Sequence, residues 1–204
     1  MQIIQVEAFR FDELSVDAKQ KVMNEVSRDD DTFYEDVLYD AKYIGELMGI
    51  HINDIYFSGF WSQGDGASFD GTYIYNDNAI EAIKQATNNS DPVLVLIVAA
   101  LHAIQTSCPA ILCANCKQSG HYCNSANMQI DVYTNFSENT LDISAAKKEL
   151  SNTLRSFADW IYGQLKKAYE YSISETYIRE VCSDNDYYFN KHGELINVKV
   201  AKIW

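Results

Sequence analysis

Residues 55–73 constrain the fold most, because glycines interrupt a segment that is otherwise rich in apolar and aromatic side chains. Such residues flank Gly64-Asp65-Gly66 on both sides, which is the pattern of two strands joined by a short loop. Glycine at positions 64 and 66 permits a positive φ without the steric penalty of a Cβ atom. The stretch therefore predicts a β-hairpin with strands over 50–60 and 67–75.

A second hairpin is predicted over 109–134, where two strands flank Gln118-Ser119-Gly120. Alternation of apolar and polar residues predicts a first strand over 2–11, and a terminal hairpin is expected to turn at 191–193. Apolar residues at helical spacing predict helices over 77–86, 92–106, 144–171 and 175–182, after two earlier helices. Hairpins with helices between and after them predict an α+β fold with a mainly antiparallel sheet.

Local capping chemistry predicts where several helices begin or end. Gly49 follows a helical apolar stripe and is placed to end that helix. Asp91 precedes Pro92, the pattern of an N-cap followed by proline at the first helical position. Asn76 and Ser174 are predicted as N-caps of the helices that follow them.

The helix predicted over 92–106 is apolar on nearly every face. A helix with this pattern is buried in a core or covered at an interface. Both interpretations stay open, the second being a homodimer face formed by residues 93–104.

The composition narrows the class of protein. Sixteen basic and 29 acidic residues give a formal charge of −13, which argues against direct nucleic-acid binding because phosphate contacts rely on Lys and Arg. A basic protein partner, or imitation of a polyanion, suits this charge. The chain has no Gly/Ser-rich or Pro-rich linker, and a single domain over 1–204 is predicted.

The expected location is the cytoplasm. The longest apolar run, 93–103, is shorter than the roughly 20 residues of a membrane span, and the amino terminus lacks the features of a signal peptide. Five cysteines, an odd number, do not suggest a disulfide framework in a chain of this size.

The loop around Gly64 has three interpretations. It lacks the glycine spacing and the Lys-Ser/Thr ending of phosphate-binding loops, and Asp65 would repel phosphate. A tight turn between strands is the simplest interpretation. A recognition loop that presents Trp61, Gln63 and Asp65 is the second, because Trp anchors many interfaces. A small-ligand or hydrolytic site at 61–66 is the third.

A metal site is the other chemistry that the residue types suggest. Cys113-x2-Cys116 followed by His121-x-Cys123 resembles zinc-ligand spacing. However, residues 113 and 116 of one strand point to opposite faces unless a turn intervenes, and half-buried cysteines are common core residues. The prediction is therefore no metal and no cofactor, with these four residues kept as candidates. No catalytic residue is predicted.

Several segments together resemble a family of small acidic bacteriophage and prophage proteins described as antitoxins of a toxin–antitoxin stability system. They are 11–15 with Ala18-Lys19, 55–69, Gly120-His121-Tyr122, 157–165 and 169–171. The resemblance implies a phage or mobile-element origin and carries no catalytic residues.

The resulting expectation is a non-enzymatic phage accessory protein that binds and inhibits a host protein. Anti-CRISPR or anti-restriction inhibition through an acidic surface is the leading form, with Asp29, Asp30 and Asp31 beside the loop residues as the binding surface. The alternative is an antitoxin that neutralises a cognate toxin by direct contact. In both forms the partner is a protein with a basic surface.

Overall fold

The computed structural model of the chain describes residues 7–29, 32–135 and 141–196. Within these ranges the helices are α1 (Val16–Asp29), α2 (Glu35–Met48), α3 (Ala79–Ala86), α4 (Pro92–Ser107), α5 (Leu141–Ser172) and α6 (Glu175–Asp184). The strands are β1 (Ile50–Ser58), β2 (Gly66–Tyr73), β3 (Ile111–Gln118) and β4 (Met128–Thr134). The predicted α+β class and the long helix near 144–171 are confirmed.

The four strands form one antiparallel sheet in the order β1-β2-β3-β4. β1 and β2 pair from Ile50↔Tyr73 to Ser58↔Gly66, so the loop 59–65 closes the first predicted hairpin. β3 and β4 form the second hairpin, and the pair Gly71↔Cys116 joins the two hairpins. Both hairpin predictions are confirmed, with α3 and α4 in the connection between them.

Three of the predicted helix boundaries are confirmed. Gly49 ends α2 with a φ of +80°. The Asp91 carboxylate accepts hydrogen bonds from the Val93 and Leu94 N–H groups at the start of α4, and the Ser174 hydroxyl accepts one from the Tyr177 N–H.

The predicted cap at Asn76 is wrong. Residue 78 occupies the N-cap position of α3. The Asn76 side chain instead donates to the Leu47 carbonyl at 3.0 Å and accepts from the Asn78 N–H at 3.1 Å. Its amide therefore ties the end of α2 to the turn that precedes α3.

The core of the sheet lies against α2 and α5. Phe69 of β2 meets Phe157 of α5 edge to face, with ring centroids 5.9 Å apart. Gly45 lets α2 approach β1, because a Cβ atom there would lie 2.7 Å from the Ile50 carbonyl oxygen. The apolar stripe that helical spacing predicts for α5 is buried at Leu150, Leu154, Phe157, Ile161 and Leu165, while Ala168 is partly buried.

The helix α4 is buried on one side and exposed on the other. Its buried residues are Leu94, Ile97, Val98, Leu101 and Ile104, while Leu96 is 70% exposed. The interpretation that α4 is buried in the core on every face is therefore wrong. The interpretation of residues 93–104 as a homodimer face stays a prediction.

The chain divides into two compact units, Met1–Tyr34 with Lys167–Trp204, and Glu35–Lys166. The second unit holds the sheet with α2, α3, α4 and most of α5. The first has its own apolar cluster, which includes Phe11, Leu14, Val22, Ile178 and Phe189. The single-domain interpretation stays a prediction.

The predicted first strand is wrong for its described part. Residues 2–6 lie outside the described ranges, Phe9 forms only an isolated bridge with Phe189, and Phe11–Glu13 is a 3-10 turn. The Arg10 N–H donates to the Glu13 carboxylate at 2.7 Å, so a local bond turns the chain here. Of the predicted terminal hairpin, the described residues show one antiparallel bridge, Phe189↔Leu195. Residues 197–199 lie outside the described ranges.

Candidate functional site

The loop 59–65 is fixed from within by the side chain of Asp65. One carboxylate oxygen, Oδ2, accepts hydrogen bonds from the Trp61 N–H at 2.8 Å and from the Ser62 N–H at 2.6 Å. The Asp65 N–H donates in turn to the Ser62 carbonyl at 3.2 Å. The aspartate that the sequence suggested for partner contact is therefore committed to the turn, as short polar side chains often are.

Helix α5 supports the same loop from one side. The Tyr162 hydroxyl donates to the Gly59 carbonyl at 3.1 Å, and the Tyr162 ring stacks on Phe60 with centroids 5.7 Å apart. Burial, with a smaller effect from the nearby Asp65 charge, raises the pKa of Tyr162, so the phenol stays protonated as a donor. One turn further along, the Lys166 ammonium lies 5.3 Å from the centre of the Trp61 ring, within the range of a cation–π contact.

The loop of the second hairpin also supports it. The Asn124 side-chain amide donates to the Gly64 carbonyl at 2.9 Å. Gly64 has a φ of +95°, and a Cβ atom there would lie 3.0 Å from the Tyr122 ring. A Cβ atom on Gly66 would lie 2.5 Å from the Cβ of Asn124. Both glycines thus allow contact between the loops. We call loops 59–65 and 119–124, with Tyr162 and Lys166, the two-loop surface.

Aromatic side chains are exposed on this surface although its backbone is held in place. Trp61 is 70% exposed and Tyr122 is 54% exposed. His121 and Gln63 are also exposed, and the His121 ring packs edge to face on Tyr122 with centroids 5.3 Å apart. Large aromatic residues on a fixed backbone are suited to anchoring a protein partner.

The four metal candidates do not converge. Cys116 is buried, whereas Cys113 lies on the opposite face of β3, and Cys123 and the exposed His121 lie in the second loop. Among the residues that the structure describes, no group of three or more His, Cys, Asp or Glu side chains is arranged to hold a metal ion.

Cys116 is also a poor thiolate donor. Burial, which outweighs the opposing effect of Arg155, raises the pKa of its thiol to about 12. Metal binding requires the deprotonated thiolate, so this cysteine is better suited to packing.

Of the acidic run, the structure describes Asp29, which belongs to the unit Met1–Tyr34 with Lys167–Trp204. Asp29 is the last residue of α1, and Asp30 and Asp31 lie outside the described ranges. The acidic residues in the first turn of α2 are Glu35 and Asp36. The role of Asp29, Asp30 and Asp31 in partner binding stays a prediction.

Sequence reasoning missed two residues that hold the two-loop surface, Tyr162 and Asn124. A signal existed for the first, because the buried stripe at 157, 161 and 165 places 162 and 166 together on a neighbouring face of the helix. No local signal points to Asn124, whose partner Gly64 is 60 residues away.

Among the described residues, no helix combines the length and apolar character needed to cross a membrane. No curated protein and no solved structure matches the chain. The model of a protein family described as "Domain of unknown function (DUF8835)" matches residues 33–175. This range contains the whole sheet and both loops of the two-loop surface. Because the match covers more than half of the chain, the protein belongs to the DUF8835 family.

Proposed function

We propose that the chain is a non-enzymatic accessory protein that binds and inhibits a host protein with a basic surface. The observation that carries this proposal is the exposure of Trp61, 70%, on a loop that is held by its own Asp65, by α5 and by the second hairpin. Tryptophan is enriched among residues that dominate binding energies. A backbone fixed before binding loses less conformational entropy on association.

The charge of the chain supports the choice of a basic partner. A net charge of −13 attracts a positively charged surface over long distances and speeds encounter. Basic surfaces are typical of proteins that handle nucleic acids. Together with the resemblance to phage proteins, this favours a host defence complex that acts on nucleic acid, in the manner of anti-CRISPR or anti-restriction inhibitors.

The bonds of Asp65 favour binding over catalysis at the loop 61–66. Its Oδ2 already accepts two backbone hydrogen bonds, and a catalytic carboxylate must reach the reacting group. Using Asp65 as an acid or base would disturb the turn that positions Trp61. The loop is therefore better suited to presenting side chains than to hydrolysis.

Inhibition assays test the proposal directly. Purified RNA-guided nucleases and restriction endonucleases would cleave DNA in the presence of increasing amounts of the protein. We expect inhibition by one of them, about tenfold or more weaker for Trp61→Ala. Tyr39→Ala is the matched control, because Tyr39 is an equally exposed aromatic residue, 76%, on α2. Equal inhibition by the wild-type protein, Trp61→Ala and Tyr39→Ala would exclude the two-loop surface as the site that binds the nuclease.

Salt dependence and co-expression separate the two forms of the proposal. Inhibition through an acidic surface should weaken between about 0.05 and 0.3 M NaCl, because salt screens exposed charges. Binding that does not change with salt would contradict charge imitation. Rescue of cell growth from a toxic neighbouring gene product, dependent on this chain, would instead indicate an antitoxin.

A further inference from the structure

A groove of about 580 Å³ opens in the unit Glu35–Lys166, away from the two-loop surface. One stripe of α2 lines one wall, with Val37, Asp40 and Ile44 at successive turns, and Trp160 of α5 lines the other. Trp160 and Tyr162 are two residues apart on α5 and so point in nearly opposite directions. The groove and the two-loop surface therefore lie on different faces of α5 and share no lining residue.

The aromatic wall of the groove is fixed. The Trp160 indole N–H donates to the Asp91 carboxylate at 2.8 Å, and its ring stacks on Phe157 with centroids 5.7 Å apart and planes 12° apart. Tyr43, 54% exposed, adds a second ring to the lining. An indole face attracts cations through its quadrupole more strongly than other aromatic side chains do.

The charged side chains that line the groove are all acidic. Asp40 and Asp91 contribute carboxylates, and no basic residue is found among the described residues that line it. The Asp91 oxygens accept three hydrogen bonds, from Val93, Leu94 and Trp160, and a carboxylate has about four lone-pair positions. Asp91 can therefore accept a further donor without losing its role as the N-cap of α4.

Part of the groove lining is apolar and suits a carbon chain. Val37, Ile44 and Leu94 provide it. Ligands that combine an alkyl stem with a charged head place the stem on apolar surface and the head on polar groups. A metal ion would not use these apolar side chains, and no group of three metal-binding side chains occurs in the described part of the chain.

We propose that this groove binds an organic cation, an alkyl chain that ends in a guanidinium or ammonium group. The stem lies on Val37, Ile44 and Leu94, the cationic head lies near the Trp160 ring, and Asp40 and Asp91 neutralise its charge. The cation is supplied either by an Arg or Lys side chain of a peptide or by a free polyamine. These two sources share the chemistry that the groove recognises.

The test uses the full chain and the indole N–H resonance of Trp160, assigned with Trp61→Phe and Trp204→Phe variants. The probes are N-acetyl-arginine amide, spermidine and N-acetyl-citrulline amide, the last being an uncharged analogue of the first. We expect the Trp160 resonance to shift on titration with at least one cationic probe. Citrulline should bind about tenfold more weakly than arginine, because it lacks the charge. Tighter binding of arginine indicates a peptide as the source, and tighter binding of spermidine indicates a polyamine.

Two variants locate the effect. Asp40→Asn, at an exposed position of α2, should weaken binding of the cation by about fivefold or more. Asp159→Asn removes the same charge from an exposed position of α5 that does not line the groove, and should leave binding unchanged. Equal weakening by both variants, equal binding of citrulline and arginine, or an unmoved Trp160 resonance would each overturn the proposal.

Discussion

At the residue scale, Asp65 holds the tip of the first hairpin loop. The Trp61 and Ser62 N–H groups donate to the same carboxylate oxygen. We expect Asp65→Ala to lower the free energy of unfolding by about 2 kcal/mol, because both donors lose a charged acceptor. Asp65→Asn should recover at least half of this loss, since one amide oxygen can accept both bonds. Urea unfolding measures the free energy of unfolding of the wild-type protein and the two variants. Equal losses for Asp65→Ala and Asp65→Asn would contradict the role of Asp65 as acceptor of these two hydrogen bonds.

Also at the residue scale, burial divides the five cysteines by reactivity. Cys108, Cys116 and Cys182 are buried, whereas Cys113 and Cys123 are partly exposed. Burial raises the pKa of Cys116 to about 12 and that of Cys182 to about 11. At pH 8, well below both values, these two thiols stay protonated and unreactive.

Alkylation followed by peptide mass spectrometry checks this division. In the folded protein at pH 8, iodoacetamide should modify Cys113 and Cys123 first. In urea, all five cysteines should react at similar rates, which serves as the control. Rapid modification of Cys116 in the folded protein would show that its burial is wrong.

At the element scale, two glycines should respond to alanine in opposite directions. Gly66→Ala places a Cβ atom 2.5 Å from the Cβ of Asn124 and should destabilise the protein by about 1–3 kcal/mol through overpacking. Gly163→Ala, within α5, meets no atom within 4 Å. It should stabilise the protein by about 0.5–1 kcal/mol, because alanine is the better helix former. Thermal unfolding measures both, and a stabilising Gly66→Ala would contradict the contact between the loops.

At the scale of the whole molecule, the range of the family match nearly coincides with one of the two compact units. The match covers 33–175, and the unit that contains the sheet covers Glu35–Lys166. The sheet, α2 and α5 bury a core that includes Phe69, Phe157 and Leu154. We therefore expect a fragment of residues 33–175 to fold on its own.

Urea unfolding of this fragment tests the expectation. A single cooperative transition is expected, with the Trp160 indole N–H resonance at the same position as in the full chain. A fragment of 1–34 fused to 167–204 is a useful comparison, because it contains the second apolar cluster. Failure of 33–175 to unfold cooperatively would instead support one domain over 1–204.

The sequence by itself determined the features that depend on neighbours a few residues away. Gly49, Asp91 with Pro92, and Ser174 mark helix boundaries because each cap acts within about three residues of its own position. The two hairpins and the α5 stripe follow from glycine placement and from apolar periodicity. The predicted strand over 2–11 failed in its described part, where a bond from Arg10 to Glu13 outweighed the alternating pattern.

Only the tertiary structure decided which distant residues meet. Tyr162 and Gly59 are 103 residues apart, Trp160 and Asp91 are 69 apart, and Asn124 and Gly64 are 60 apart. These contacts fix the two-loop surface and the aromatic wall of the groove, and they depend on how α5 and the second hairpin pack. The sequence marked Trp61 and Asp65 together as one recognition loop. The structure gives them different roles: the Asp65 carboxylate accepts hydrogen bonds inside its own turn, and the Trp61 ring stays exposed.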